Sequence, residues 1–148
     1  MEKMPRVVAM ILFVSGGVLV FAGVLTYGLV RNELSDEHIT VSEDADHFAG
    51  DQVEGPLTAY EQASTIEEHA LEIGGGKTYA ELPRDDPNRD TVMDASFLRA
   101  SLFTSVVAFG VAALVVALGV LFVLVGFAVA ALDHRLAPAI VEPAPTAA

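Results

Sequence analysis

Asp86, Asn88, Asp90 and Asp94 place oxygen-bearing side chains at alternate positions and then four residues on. Side chains at i, i+2 and i+4 are how a calcium loop wraps a hard cation. The run departs from an EF-hand where that motif is strict: Thr91 takes the glycine position and Phe97 the bidentate glutamate position. The competing arrangement makes Asp86 the cap of a helix whose first residue is Pro87, with Asp90 near its positive end. The two departures favour the cap.

Other constellations carry less. Two histidines and a carboxylate can make an open iron site, but His38, His47, His69 and His134 are scattered and lack a paired helical motif. Asp44, Asp46 and His47 cluster in one segment, and His69 and Glu72 can share one helix face. Ser64, His69 and an acid compose a triad on paper only, because no nucleophile-elbow glycine pattern surrounds the serine. Gly74-Gly75-Gly76-Lys77-Thr78 has the look of a phosphate loop but lacks its first glycine and follows a helical pattern, so it reads as a turn. Cysteine is absent, which removes thiolate metal sites, cysteine nucleophiles and disulfides. The expectation is a chain with no catalytic set and no cofactor.

The elements that must position these residues are dominated by two uncharged stretches. Residues 7–30 form 24 positions without a charge, and residues 100–132 form 33 more. At about 1.5 Å per residue these make helices of roughly 36 and 50 Å. A hydrocarbon core of about 30 Å takes about 20 apolar residues, and backbone crossing it must be helical. Neither stretch contains Asp, Glu, Lys, Arg or His, which argues against a proton or ion pathway within the chain. The first run is longer than the apolar core of a secretion signal and is followed by no small-x-small cleavage site, so it is expected to stay as an anchor.

The net charge of −12 has one source. Residues 31–99 hold 17 acids and five bases, while the tails balance three of each. Such a segment repels phosphate backbones, which excludes nucleic acid as a partner and favours cations or a basic protein surface. Lys3 and Arg6 before the first stretch and Arg135 after the second place both termini in the cytoplasm of a plasma-membrane protein. The resulting division is a cytoplasmic N-terminus (1–6), a first span (7–30), an acidic extracytoplasmic domain (31–99), a second span (100–132) and a cytoplasmic Pro/Ala tail (133–148) that reads as disordered.

Small residues mark a seam on each span. Ala9, Gly16 and Gly23 recur every seven positions. On the second span Ser101, Ser105, Ala108, Ala112, Gly119, Gly126 and Ala130 follow a three-and-four spacing, interrupted by Val115 and Phe122. In lipid, helices associate where small side chains let their backbones approach, and a seven-residue repeat favours a left-handed crossing. The helix-packing residues are therefore Gly16, Gly23, Ser105, Ala108, Ala112, Gly119 and Gly126, closing a transmembrane hairpin.

Between the spans the pattern is mixed. His38 to Val41 has the β-branched character of a short strand. Gly55-Pro56 opens a helical pattern that Gly74 to Gly76 ends. Thr78-x-x-Glu81 resembles a capping box before Pro83. The second apolar helix is expected to run from about Pro87 to Leu132, presenting Val92, Met93, Phe97, Leu98 and Leu102 for the acidic domain to cover. The fold class is a mainly α membrane protein: a two-helix hairpin with a long second helix and a small acidic α(+β) domain.

Three segments carry a resemblance: Ile39-Thr-Val-Ser-Glu-Asp-Ala-Asp-His-Phe-Ala-Gly50, Gly55-Pro-Leu-Thr-Ala-Tyr60 and Met93-Asp-Ala-Ser-Phe-Leu-Arg-Ala-Ser-Leu-Phe-Thr-Ser105. They resemble a family of small two-pass membrane proteins of high-GC Gram-positive bacteria, over roughly residues 5 to 132. Members often bear a label naming a subunit of an aromatic ring-opening dioxygenase, although no ring-cleaving iron site is readable in this chain. The resemblance implies the two-pass topology and no particular activity.

The functional expectation is a non-enzymatic membrane protein acting by association, either as an accessory or structural subunit beside other membrane proteins or as a homo-oligomer. The alternative is a cation-binding extracytoplasmic sensor or receptor held by two spans.

Overall fold

A computed structural model describes residues 4–136 of the chain. It is mainly helical, with three helices in order: α1 (Met4–Asp36), α2 (Pro56–Ile73) and α3 (Arg89–Leu136). No strand occurs among the described residues. Expectations for the tail from residue 137 on lie outside them.

α1 starts one residue before Pro5, which suits a first helical turn because its missing N–H would have no partner there. It does not stop at the charge boundary. Six further residues carry Leu34 into a core, and the chain turns only at His38, whose φ of 52° is left-handed. α3 begins at Arg89 and has 48 residues. Both helices are long and apolar enough to cross a membrane, with mean hydropathy of 2.6 and 2.9 over their most apolar windows. Only 17% of each window is buried, unlike a core helix of a water-soluble domain, whose apolar face is covered.

The chain divides into two compact units, and the division falls within both long helices. The first holds residues 4–24 of α1 and 113–136 of α3. Gly16 lies against Gly119 and Val123, and Leu12 and Phe13 against Gly126. Phe13 meets Phe127 edge-on at 4.8 Å. Rising numbers on one helix meet falling numbers on the other, so the two segments run antiparallel.

The second unit, residues 25–112, is built around Leu34, Val41, Val53, Ala59, Ala63, Leu102 and Phe109. The segment expected as a strand makes a single antiparallel bridge, Thr40 to Gln52. Flanking bonds from Val41 N–H to the Asp51 carbonyl (2.8 Å) and from Val53 N–H to the Ile39 carbonyl (2.8 Å) close a narrow loop. Phe48 and Gly50, both at positive φ, reverse the chain too soon for a ladder to extend. The loop instead contributes two wholly buried side chains, Val41 and Val53.

α2 opens with Thr58 accepting the Gly55 N–H (3.2 Å) and closes with a Schellman turn. Gly76 N–H bonds the Leu71 carbonyl (2.7 Å) and Gly75 N–H the Glu72 carbonyl (3.2 Å). The glycine run is thus a helix stop, with Gly75 and Gly76 in the left-handed region. Thr78 and Glu81 make half of the expected capping box: the Glu81 carboxylate accepts both the N–H and the hydroxyl of Thr78 at 2.9 Å, while the Glu81 N–H bonds the Thr78 carbonyl at 3.0 Å rather than the hydroxyl. Only one turn follows, because Pro83 lacks the N–H to continue it.

One packing expectation needs correction. Of the five apolar residues on the leading part of α3, Val92 and Leu102 are buried and Met93 is half-buried, whereas Phe97 (66% exposed) and Leu98 (57%) face outward. Five residues turn a helix by about 140°, so Phe97 and Leu102 cannot share one contact face.

Candidate helix-packing site

The seam residues occupy distinct surroundings. Gly16, Gly23, Ala112, Gly119 and Gly126 are buried, as is Ala9. Ser105 and Ala108 are half-buried and Ser101 is exposed. Within the first unit the closest approach is at Gly16 and Gly119. A Cβ on Gly16 would lie 2.7 Å from the Gly119 carbonyl oxygen, and one on Gly119 would lie 2.7 Å from the Gly16 oxygen and from the Val20 nitrogen. These are backbone atoms, so no side-chain rotation relieves the clash. Gly126 is less constrained, its nearest neighbours being Leu12 and the Phe13 ring at 3.3 Å. By contrast, Gly17, Gly28 and Gly110 have open space where a Cβ would project. On the long helices glycine is thus required where backbones meet and incidental at Gly17, Gly28 and Gly110.

In the second unit Ser105 and Ala108 line a groove of about 510 Å³ whose other walls include Val30 and Leu34 from α1 and Ile66 from α2. Tyr27 packs on Phe109 at 4.8 Å and Tyr60 on Phe103 at 5.7 Å, edge to face.

The acidic run does not form a cation loop. Asp86 Oδ1 accepts the Asn88 N–H at 2.9 Å, and the Asn88 amide donates to the Ile73 carbonyl at 3.0 Å, tying the end of α2 to the start of α3. Asp90 and Asp94 already lie on α3. A regular helix cannot curl four ligands round one ion as an irregular loop does. No group of three or more His, Asp or Glu side chains among the described residues is placed to hold a metal ion.

Two of the histidines hold the loop after α1 against α2. His69 Nε2 donates to Asp44 Oδ2 at 2.6 Å, and this bond holds the Asp44 carboxyl below its ordinary range. The His47 backbone N–H donates to Glu61 at 3.0 Å. Gln62, buried on α2, accepts the Ser42 N–H at 2.8 Å. The loop after α1 is therefore pinned to α2 at three points. Arg31 pairs with Glu54 and Arg99 with Glu67, the latter at 2.7 Å. Arg89 stacks on the Tyr79 ring at 4.2 Å and donates to the Tyr79 and Leu82 carbonyls, organising the segment before α3.

None of these pairings is readable from spacing, since the partners are 25, 14, 20, 23 and 32 positions apart for Asp44–His69, His47–Glu61, Ser42–Gln62, Arg31–Glu54 and Glu67–Arg99. The chain matches no protein-family model, no curated protein and no solved structure.

Proposed function

We propose that this is a two-pass integral membrane protein that works by association rather than catalysis, as an accessory or structural subunit of a larger membrane assembly or as a homo-oligomer. Residues 7–30 and 100–132 cross the plasma membrane, residues 31–99 lie outside, and both termini face the cytoplasm.

The observation that carries the reading is the pairing of bare apolar helices with a glycine contact. The most apolar windows of α1 and α3 leave 83% of their residues unburied. Burying apolar surface is the main drive to fold in water, so helices this uncovered belong in lipid. There the remaining drive to associate is close packing over small residues, which the Gly16–Gly119 contact supplies inside the chain. Purification of the full chain from its native membranes in mild detergent tests the proposal. Stoichiometric membrane-protein partners, or a defined oligomer, are expected, and isolation as a lone monomer would overturn it.

A further inference from the structure

Both uncharged stretches are longer than a hydrocarbon core of about 30 Å, which about 20 helical residues cross. Counted from Val7, about 20 residues of α1 bring the outer edge of that core to Tyr27. Counted back from Leu132, about 20 residues of α3 bring it to Ala112. Tyr27 packs on Phe109 at 4.8 Å, so the two counts agree to within about 5 Å. The second unit begins at Leu25 and ends at Ala112, which is where the counts leave the hydrocarbon. The excess of both stretches therefore lies at the outer end, and beyond it the headgroups add a layer of about 5–8 Å.

Apolar and aromatic side chains of the acidic domain gather at that level. Tyr27, Arg31, Phe48 and Leu57 border one open depression of about 540 Å³. Arg31 lies about 6 Å along α1 from Tyr27 and pairs with Glu54, which closely precedes Leu57. Tyr60, on the next residues of α2, stacks on Phe103, about 9 Å along α3 from Phe109. The start of α2 is thus bracketed within the headgroup layer or at its rim. Leu57 is 68% exposed there, and Phe48 and Tyr60 are exposed beside it. Phe48 is presented from a backbone φ of 59°, a conformation rare for a bulky residue. One exposed leucine needs no explanation, but a cluster at one level does.

We propose that the acidic domain has a membrane contact of its own: the start of α2 and the loop at Phe48 rest in the outer headgroup layer, with Leu57 and Phe48 reaching toward the acyl chains. The proposal rests on the two-pass reading above and adds a lipid-binding surface to it. Segments that lie in the interface present apolar side chains downward and polar ones to water, and tyrosine is enriched at this level because its ring is apolar and its hydroxyl wet. Two of the chain's three tyrosines, Tyr27 and Tyr60, stand here. The charges choose the lipid. Asp51 and Glu54 outnumber Arg31 around the depression, so a zwitterionic surface suits it and an anionic one is repelled.

The chain has no tryptophan, so Leu57→Trp places a single fluorophore in the patch. The full-length variant is reconstituted in phosphatidylcholine vesicles whose acyl chains carry bromine either near the headgroup or near the methyl end. Shallow bromines should remove roughly half of the indole emission and deep ones much less. Leu98→Trp replaces a residue that is 57% exposed but about 16 Å beyond Phe109 along α3, and it should stay unquenched by either lipid. It carries the same indole, so the contrast reads position rather than the affinity of tryptophan for lipid. Val18→Trp, midway along the first count, should be quenched most by deep bromines. An unquenched Leu57→Trp with the red emission of an indole in water would leave the patch solvated and overturn the proposal. An unquenched Leu57→Trp with blue emission would give the patch to a protein, a second copy included, and overturn it too. Equal quenching at Leu57→Trp and Leu98→Trp would deny the edge at Tyr27 and overturn it as well. In each case quenching at Val18→Trp keeps the spans standing, whereas its absence would remove the two-pass reading and the proposal together.

Discussion

Gly16 and Gly119 hold each other's backbones at a distance that admits no side chain on either. The carbonyl oxygen of each would sit 2.7 Å from a Cβ on the other. Real Cβ atoms do not approach backbone oxygens that closely, so the contact is specified by glycine itself. It converts two apolar helices, each able to lie alone in lipid, into a pair with one register.

Gly119→Leu is therefore expected to drive the helices apart, costing about 1–3 kcal/mol or more by overpacking. Val120→Leu should be nearly neutral, since Val120 is exposed and about 100° round the helix. Crosslinking between cysteines placed at Phe13 and Phe127 reads the difference: the yield should fall for Gly119→Leu and hold for Val120→Leu. Equal yields would reduce the seam to ordinary membrane composition.

In the second unit the contrast lies between Leu102 and Phe97. Leu102 is 3% exposed, and its truncation to Ala should cost about 2–5 kcal/mol. Phe97→Ala should stay within about 0.5 kcal/mol, as surface substitutions do. Thermal unfolding and protease resistance in detergent measure both, and a Phe97 effect as large as that of Leu102 would mean a partner covers α3 there.

These two contrasts mark what the sequence can carry. Spacing along one helix decides which residues share a face, and Gly16, Gly119 and Gly126, which meet the facing helix, are the part of the expected seam where a glycine can do little but admit a neighbour. The ends of α2 were legible for a similar reason: Pro56 and Gly74 to Gly76 act on their own turn of chain. Phe97 and Leu102 were not separable, because the leading part of α3 is apolar on more than one side and only the packed domain chooses between them. The Asp44–His69 and Ser42–Gln62 bonds were invisible because they depend on how a loop folds back over a helix. The strand expected at His38 to Val41 does not form: the left-handed Phe48 and Gly50 reverse the chain and leave one isolated bridge, although Val41 is buried.

The topology proposed above, with both termini in the cytoplasm, predicts a labelling pattern. A cysteine at exposed Ala80, in a chain otherwise without cysteine, should react with an impermeant thiol reagent on intact cells, whereas one at Ala147 should react only after permeabilisation. The reverse pattern would invert the orientation. Labelling of both on intact cells would end the two-pass assignment.

The clamp between Asp44 and His69 predicts a pH dependence whose sign follows from the direction of the shift. The hydrogen bond from His69, first, and a backbone bond lower the Asp44 pKa from its ordinary 3.8. A carboxyl lowered on folding binds its proton more readily when unfolded, so its stabilisation is present above that ordinary value. It is lost as pH falls through the lowered one. Asp44→Asn should therefore loosen the 42–52 loop at pH 6, seen as faster amide exchange or proteolysis, and the difference from the unsubstituted chain should vanish once acid has protonated Asp44 in both states. Because the pair is exposed, the effect should be confined to the loop and leave the melting of α1 and α3 unchanged. A difference that instead persisted into strong acid would show that Asp44 holds the loop by shape rather than by charge.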